Sequence, residues 1–208
     1  MNNKFTIHSI NMVKRVFDIL ASASMLIMLL PVGIIIILLI YNEDRKSIFF
    51  KQKRIGLNKK PFILYKFRSM NIAKTISNEN FDAGDQSRVT RIGKILRKTK
   101  LDELPQLYNV LIGDMSLVGP RPEVKKWVDF YPYQWAFILT MKPGITDNAA
   151  IIYRNEEEIL AKVVNPEKHY GEIILPQKLN IYRDYILNHS FIGDIQIIFR
   201  TIFSIVKH

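Results

Sequence analysis

Cysteine is absent from the 208 residues. That excludes a disulfide framework, a thiolate nucleophile and a cysteine-held metal, and it fits a reducing compartment. Histidine is scarce, and His8, His169, His189 and His208 stand without metal-ligand spacing, so each is expected to be structural or superficial. Charge is missing altogether from residues 19–40, and acids are missing from residues 45–78 and 86–101. Those last two stretches hold ten and six Lys or Arg, more than half of the chain's 30.

The uncharged run has 22 residues. As a straight helix it would reach about 33 Å, close to the thickness of the hydrocarbon layer of a bilayer. Membrane insertion is therefore expected. Crossing is a separate matter, because Pro31 near the middle removes an amide donor and, with Gly33, invites a kink. Lys14 and Arg15 precede the run, while Arg45, Lys46, Lys51, Lys53 and Arg54 follow it, so both ends favour the cytoplasmic side. A single-pass anchor and a bent helix that returns to its own face both stay open at this point. The run is longer than a signal-peptide core and no small-residue cleavage site follows it, so the segment is expected to be retained.

The length suits one domain over residues 1–208 with a membrane element and enough apolar content for a core. A net charge of +11 points to an anionic partner, whether nucleic acid, anionic lipid or phosphorylated substrate. Near a membrane each basic residue gains about 1 kcal/mol from anionic headgroups, so the basic stretches are expected to serve lipid and phosphate alike.

Residues 48–55 and 62–67 read as two short strands joined by Gly56-Leu57-Asn58-Lys59-Lys60-Pro61, a hairpin. Residues 71–86 are polar and have the composition of a loop able to move over a site. Ile92, Ile95 and Leu96 then recur at helical spacing, with Lys94, Arg97 and Lys98 on the polar face. Leu104, Leu107, Tyr108 and Leu111 form the next apolar stripe. Thr99-Lys100-Leu101-Asp102 has capping-box spacing and Pro105 suits only a first turn, so a helix is expected to begin at Asp102-Glu103. Such a helix end stabilises carboxylates and binds phosphate.

An Asp-Glu pair there serves either as a plain cap or in chemistry. Downstream, Gly119-Pro120-Arg121-Pro122 locks the backbone on both sides of one arginine, holding its planar fork for a phosphate or a carboxylate.

Several ordered motifs together carry a resemblance. Lys14-Arg15-Val16-Phe17-Asp18, Tyr65-Lys66-Phe67-Arg68-Ser69-Met70, Leu101-Asp102-Glu103-Leu104-Pro105-Gln106-Leu107 and Ser116-Leu117-Val118-Gly119-Pro120-Arg121-Pro122 are similar to the bacterial sugar transferases of the small monotopic phosphoglycosyl transferase family. The match covers most of residues 12–146 and resumes more weakly near the C-terminus. It implies an α+β, mostly helical fold: residues 12–41 as a re-entrant membrane helix, and residues 42–208 as a small cytoplasmic catalytic part with a short β-hairpin and amphipathic interfacial helices. The implied reaction moves a phosphosugar from a UDP-sugar to a polyprenol phosphate, such as undecaprenyl phosphate, and releases UMP. It would be the initiating membrane step of glycoconjugate synthesis at the bacterial inner membrane.

In that frame Asp102 matches the nucleophile, and Glu103 matches the neighbouring carboxylate that helps hold Mg2+ on the diphosphate. Arg97 and Arg121 match basic positions of the active site, and Lys66 and Arg68 add cations able to offset the repulsion between a carboxylate and an anionic phosphorus. The expected partners are a UDP-sugar, a polyprenol phosphate and inner-membrane lipid, with a homodimer admitted and no nucleic acid.

Two departures stand out. The family bends its membrane helix at a Ser-Pro pair, whereas this chain has Leu30-Pro31, so the kink must rest on Pro31 and packing, helped by Ser22, Ser24 or Gly33. Where many members continue Gly-Trp-Ala-Gln, this chain has Asp147-Asn148-Ala149-Ala150, so sugar recognition there does not carry over. Trp127, Tyr131, Tyr133 and Trp135 suit either an interfacial belt or a core. The apolar face of Phe191, Ile195, Ile198, Phe199, Ile202, Phe203 and Val206 suits either a core helix or a membrane-surface helix. The rival functions are a non-catalytic membrane-tethered adaptor binding anionic lipid, and a glycosyltransferase that attacks the anomeric carbon and releases UDP.

Overall fold

The structure is a computed structural model that describes residues 2–71 and 87–206; the polar stretch expected to form a loop falls, apart from Asn71, outside the described residues. Helix α1 (Asn2–Met28) and helix α2 (Leu30–Asp44) meet at Leu29 with a bend of 59°. Pro31 lies in the first turn of α2, where its missing N–H and its ring interrupt the helical ladder. The ladder is kept on both sides, with Leu29 N donating to Met25 O at 2.9 Å and Gly33 N to Leu29 O at 2.8 Å. Ser22 is buried and its hydroxyl donates to Ile19 O, well before the bend. Among the described residues no single helix is long and apolar enough to cross a membrane, but the bent pair is so by length and composition together.

One side of the pair exposes Leu20, Ile27, Met28, Leu30 and Ile35. The other side of α1 packs Phe17, Ala21, Met25 and Leu26 onto a core of Val110, Met115 and Val118. Three polar side chains fasten that contact. Lys14 Nζ donates to Val118 O at 3.0 Å and pairs with buried Asp194, Asp18 accepts from Leu117 N at 3.2 Å, and Arg15 donates to Val110 O and Leu111 O at 2.7 and 2.9 Å.

Strands β1 (Phe49–Ile55) and β2 (Pro61–Phe67) pair antiparallel with Phe49 opposite Phe67 and Ile55 opposite Pro61, within a residue of the bounds expected from the sequence. A 3₁₀ turn, Leu57–Lys59, joins them. Helix α3 (Arg91–Thr99) is capped by Thr90, whose Oγ1 accepts from Gly93 N at 2.9 Å, and it buries Leu96. A second 3₁₀ turn, Leu101–Glu103, leads to helix α4 (Gln106–Ile112).

The expected capping box does not form. Thr99 Oγ1 donates back to Ile95 O and Leu96 O, and Lys100 takes a left-handed conformation (φ 58°) that ends α3 and turns the chain. Asp102 and Glu103 therefore sit in a tight turn between two helices, and Pro105 occupies the cap position of α4.

The chain continues through β3 (Ser116–Val118), α5 (Lys125–Phe130), α6 (Pro132–Ile138) and β4 (Gly144–Thr146). Strands β3 and β4 run parallel, Val118 beside Thr146, a pairing that short apolar segments did not announce. The two backbones come so close beyond β3 that a Cβ on Gly144 would lie 2.1 Å from Gly119 N. Helices α7 (Asn148–Ile152), α8 (Glu156–Leu160), α9 (Pro166–His169), α10 (Leu175–Leu187) and α11 (Phe191–Val206) complete the fold, with a π-helical turn, Tyr170–Ile174, between α9 and α10.

Trp127 and Trp135 belong to the main core with Tyr170, Leu175 and Tyr182, while Tyr133 projects outward. Helix α11 packs one face into the core and leaves apolar side chains on the other. Asp194 and Ile197 face inward, and Ile192, Phe199 and Phe203 are exposed. His189 is structural, its Nε2 lying 3.1 Å from Asp194 Oδ2.

Candidate active site

Asp102 and Glu103 are neighbours in sequence with opposite electrostatic fates. Asp102 is 7% exposed, and its Oδ1 is buried without a hydrogen bond. Burial pushes its carboxyl up to about 6; Lys66 opposes that most, and the negative charge of Glu103 adds to it. Glu103 is gripped instead. Lys66 Nζ donates to Oε1 at 3.0 Å, and Arg121 donates through Nη2 to Oε1 at 2.5 Å and through Nη1 to Oε2 at 3.4 Å. Burial alone would raise the Glu103 carboxyl, but Arg121 and then Lys66 overcome it and hold the group well below the usual carboxylate range. Reciprocally, Glu103 raises Arg121 further above its ordinary value, while burial pulls the Lys66 ammonium down. Two adjacent carboxyls driven apart in this way are suited to different roles.

Each cation is held by the backbone that carries it. Lys66 lies on β2, which Asn109 of α4 pins by accepting from Tyr65 N at 3.1 Å and donating to Ile63 O at 2.7 Å. Arg121 sits in the proline-bounded loop after β3. Gly144 N donates to Pro120 O at 3.0 Å, and Arg54 Nη1 donates to Pro122 O and Glu123 Oε2, both at 3.0 Å. Glu123 also accepts from the Tyr170 hydroxyl.

Of the residues singled out from the sequence, Asp102, Glu103, Lys66 and Arg121 are brought together. The other two arginines are committed elsewhere. Arg68 pairs with Asp44 through both Nη atoms, tying the end of α2 to the hairpin, and Arg97 pairs with Glu157 of α8. The expected helix N-terminus is replaced by the 3₁₀ turn, so the field around Asp102 comes from the side chains of Lys66, Lys100 and Arg121.

Arg54, Asn109 and Glu123 escaped the sequence reading. Arg54 was one of many cations in a basic stretch, Asn109 stood among helix-forming apolar residues, and only the position of Glu123 next to Pro122 marked it. Asp147, noted only as a departure, is buried beside this assembly.

Among the described residues no three Asp, Glu or His side chains gather as a metal site. Magnesium asks for less, taking one or two carboxylates together with waters and substrate phosphates. The long 3.4 Å contact at Glu103 Oε2 leaves a lone pair free, so Glu103 fits such an ion.

Comparison with known proteins places the whole chain. The family model described as bacterial sugar transferase matches residues 9–208. A UDP-glucose:undecaprenyl-phosphate glucose-1-phosphate transferase of Klebsiella pneumoniae is 37% identical over 95% of the chain and 41% of its own length. A UDP-N-acetylgalactosamine-undecaprenyl-phosphate N-acetylgalactosaminephosphotransferase of Aeromonas hydrophila is 34% identical over 93% of the chain and 44% of its own length. The exopolysaccharide production protein ExoY of Rhizobium meliloti is 33% identical over 92% of the chain and 84% of its own length. The chain thus spans under half of the first two relatives and most of the third. With the model match running through the carboxylate turn and the proline-bounded arginine, this chain belongs to the bacterial sugar transferase family.

Proposed function

We propose that this chain transfers a phosphosugar from a UDP-sugar to a polyprenol phosphate, releasing UMP, as the initiating membrane step of glycoconjugate synthesis. The relatives from Klebsiella and Aeromonas are named for sugar-phosphate transfer to undecaprenyl phosphate, and this chain aligns with them over nearly its whole length. The observation that carries the reading is the split carboxylate pair. Asp102 presents a buried, unbonded oxygen, while Glu103 is locked to two cations that neutralise the site.

In the first half-reaction an Asp102 carboxylate oxygen attacks the β-phosphorus of the donor. The new O–P bond forms as the bond from that phosphorus to the oxygen bridging it to the α-phosphate breaks, and UMP departs with the electron pair. In the second half-reaction a phosphate oxygen of the polyprenol phosphate attacks the same phosphorus and the Asp102 carboxylate leaves. The Lys66 ammonium and the Arg121 guanidinium offset the repulsion between carboxylate and phosphate. Glu103 orients both, because its oxygens meet both. Magnesium held at Glu103 would supply further neutralisation of the diphosphate oxygens. For Arg97 to touch phosphate it would have to exchange Glu157 for the substrate.

The bent α1–α2 pair suits a re-entrant helix with both ends in the cytoplasm, which would set the carboxylates at the inner face of the bacterial inner membrane. Its support is the bend at Leu29, the exposed apolar side chains and the basic residues at both ends. The reaction is tested by incubating the full chain with a panel of UDP-sugars and undecaprenyl phosphate, identifying the released nucleotide and analysing donor-treated protein by mass spectrometry. UMP and a phosphosugar adduct on Asp102 are expected. UDP, or an adduct on another residue, would overturn the mechanism.

A further inference from the structure

The parallel strands β3 and β4 end on two side chains of opposite charge. Val118 lies beside Thr146, Gly119 N donates to Thr146 O at 3.1 Å, and Gly144 N donates to Pro120 O at 3.0 Å. The backbone leaving β3 toward Arg121 therefore runs alongside the backbone leaving β4 at Asp147.

Asp147 is 1% exposed. Its Oδ1 accepts from Ala150 N at 2.8 Å and caps α7, while its Oδ2 is buried without a hydrogen-bond partner. The Ala150 and Ala149 amides of the cap both favour the ionised carboxyl, but serine or asparagine caps a helix equally well, so capping alone does not call for an anion here. Nor do the nearby cations. Arg121 is bound to Glu103 and Lys178 to Glu156. Burial raises the Asp147 carboxyl to about 6, and in its ionised form it can only accept. An anionic oxygen in this place repels phosphate and attracts a neutral donor.

We propose that Asp147 Oδ2 accepts a hydrogen bond from a hydroxyl of the sugar ring carried by the donor and so selects among UDP-sugars. The inference rests on the phosphosugar-transfer reading above and adds the specificity element to it. It also gives a purpose to the stretch in which this chain departs from Gly-Trp-Ala-Gln. A site built to bond a hydroxyl discriminates strongly against donors that place it elsewhere, because the buried acceptor is then left unpaired.

The test compares the full wild-type chain with Asp147→Asn, which keeps the capping oxygen and turns the free acceptor into an NH2 donor. UMP release is measured with UDP-glucose, UDP-galactose and their N-acetylhexosamine counterparts, and the affinity for UDP, which lacks the sugar, is measured alongside. The expected result is a loss of roughly tenfold to a hundredfold in kcat/KM for the preferred donor, smaller losses for the others, and unchanged UDP affinity and melting temperature. Asp147→Ser, which keeps a capping hydroxyl and lacks the second oxygen, should flatten the donor ranking likewise and serves if the Asn variant does not fold. An unchanged ranking, an equal loss with all donors, or weakened UDP binding would each overturn the inference. Failure of the underlying reaction shows differently, as absence of UMP from every donor with the wild-type chain, and it would overturn both.

Discussion

At the scale of single residues, the site leaves one carboxyl without partners. Asp102 is held up to about 6 by burial, so under the proposed mechanism its ionised form, the attacking one, is lost as pH falls through that value, and turnover should drop about tenfold per pH unit below it. A rate–pH profile without an acid limb near 6 would contradict this.

The stability sign is the reverse of that for a salt-bridged acid. The folded value lies above the ordinary 3.8, so the folded state binds the proton more tightly than the unfolded chain does, and the ionised group costs stability above about pH 6. Asp102→Asn should therefore abolish turnover and the covalent adduct while leaving the melting temperature at neutral pH equal to or above wild type. Glu103→Gln should do the opposite to the fold. It leaves the half-buried Lys66 and Arg121 without their shared anion, at a cost of roughly 1–3 kcal/mol, visible as a lower melting temperature.

The carboxylate pair and its proline-bounded arginine were legible in the sequence because backbone-restricting residues surround them. Arg54 and Asn109 were not, since what they do depends on carbonyls of distant segments.

At the scale of elements, hydrophobic spacing located the hairpin and α3, and the error fell where a single left-handed residue, Lys100, decided the geometry. Nothing in residue type marks lysine for that conformation. The β3–β4 pair was equally hidden, because three-residue strands leave no period to read. Its glycines are testable. Gly144→Ala would press a methyl against the Gly119 backbone, which cannot swing aside like a side chain, and should cost on the order of 3 kcal/mol by chemical denaturation.

The bend makes a second prediction at this scale. Pro31→Ala restores an amide donor and removes the ring, so the break at Leu29 should lessen. Accessibility labelling at residues 1–10 and in the catalytic part should then change from same-side toward opposite-side. Opposite-side labelling already in the wild-type chain would sink the re-entrant reading.

At the scale of the whole molecule, the helical segment near the N-terminus is joined to the rest by buried charge as well as by apolar packing. Lys14 lies between the carboxylate of Asp194 and the carbonyl of Val118, so Lys14→Met should leave an underpaired buried anion and destabilise the chain by about 3 kcal/mol. Thermal unfolding of the purified protein, compared with a surface control such as Lys125→Met, checks this. The Lys14-Arg15-Val16-Phe17-Asp18 motif was visible in the sequence, but its task was not, because its partners lie about a hundred residues away or more.

Arg15 gives that junction a mechanical meaning. It bonds the last carbonyls of α4, and the same seven-residue helix begins just after the carboxylate turn, so a strut roughly 10 Å long links the bent helix pair to the turn of Asp102. Under the proposed function, tilting of the pair in a thinner or thicker bilayer would be transmitted along this strut as displacement of that carboxyl, and the surrounding lipid would act as a rheostat on the chemistry.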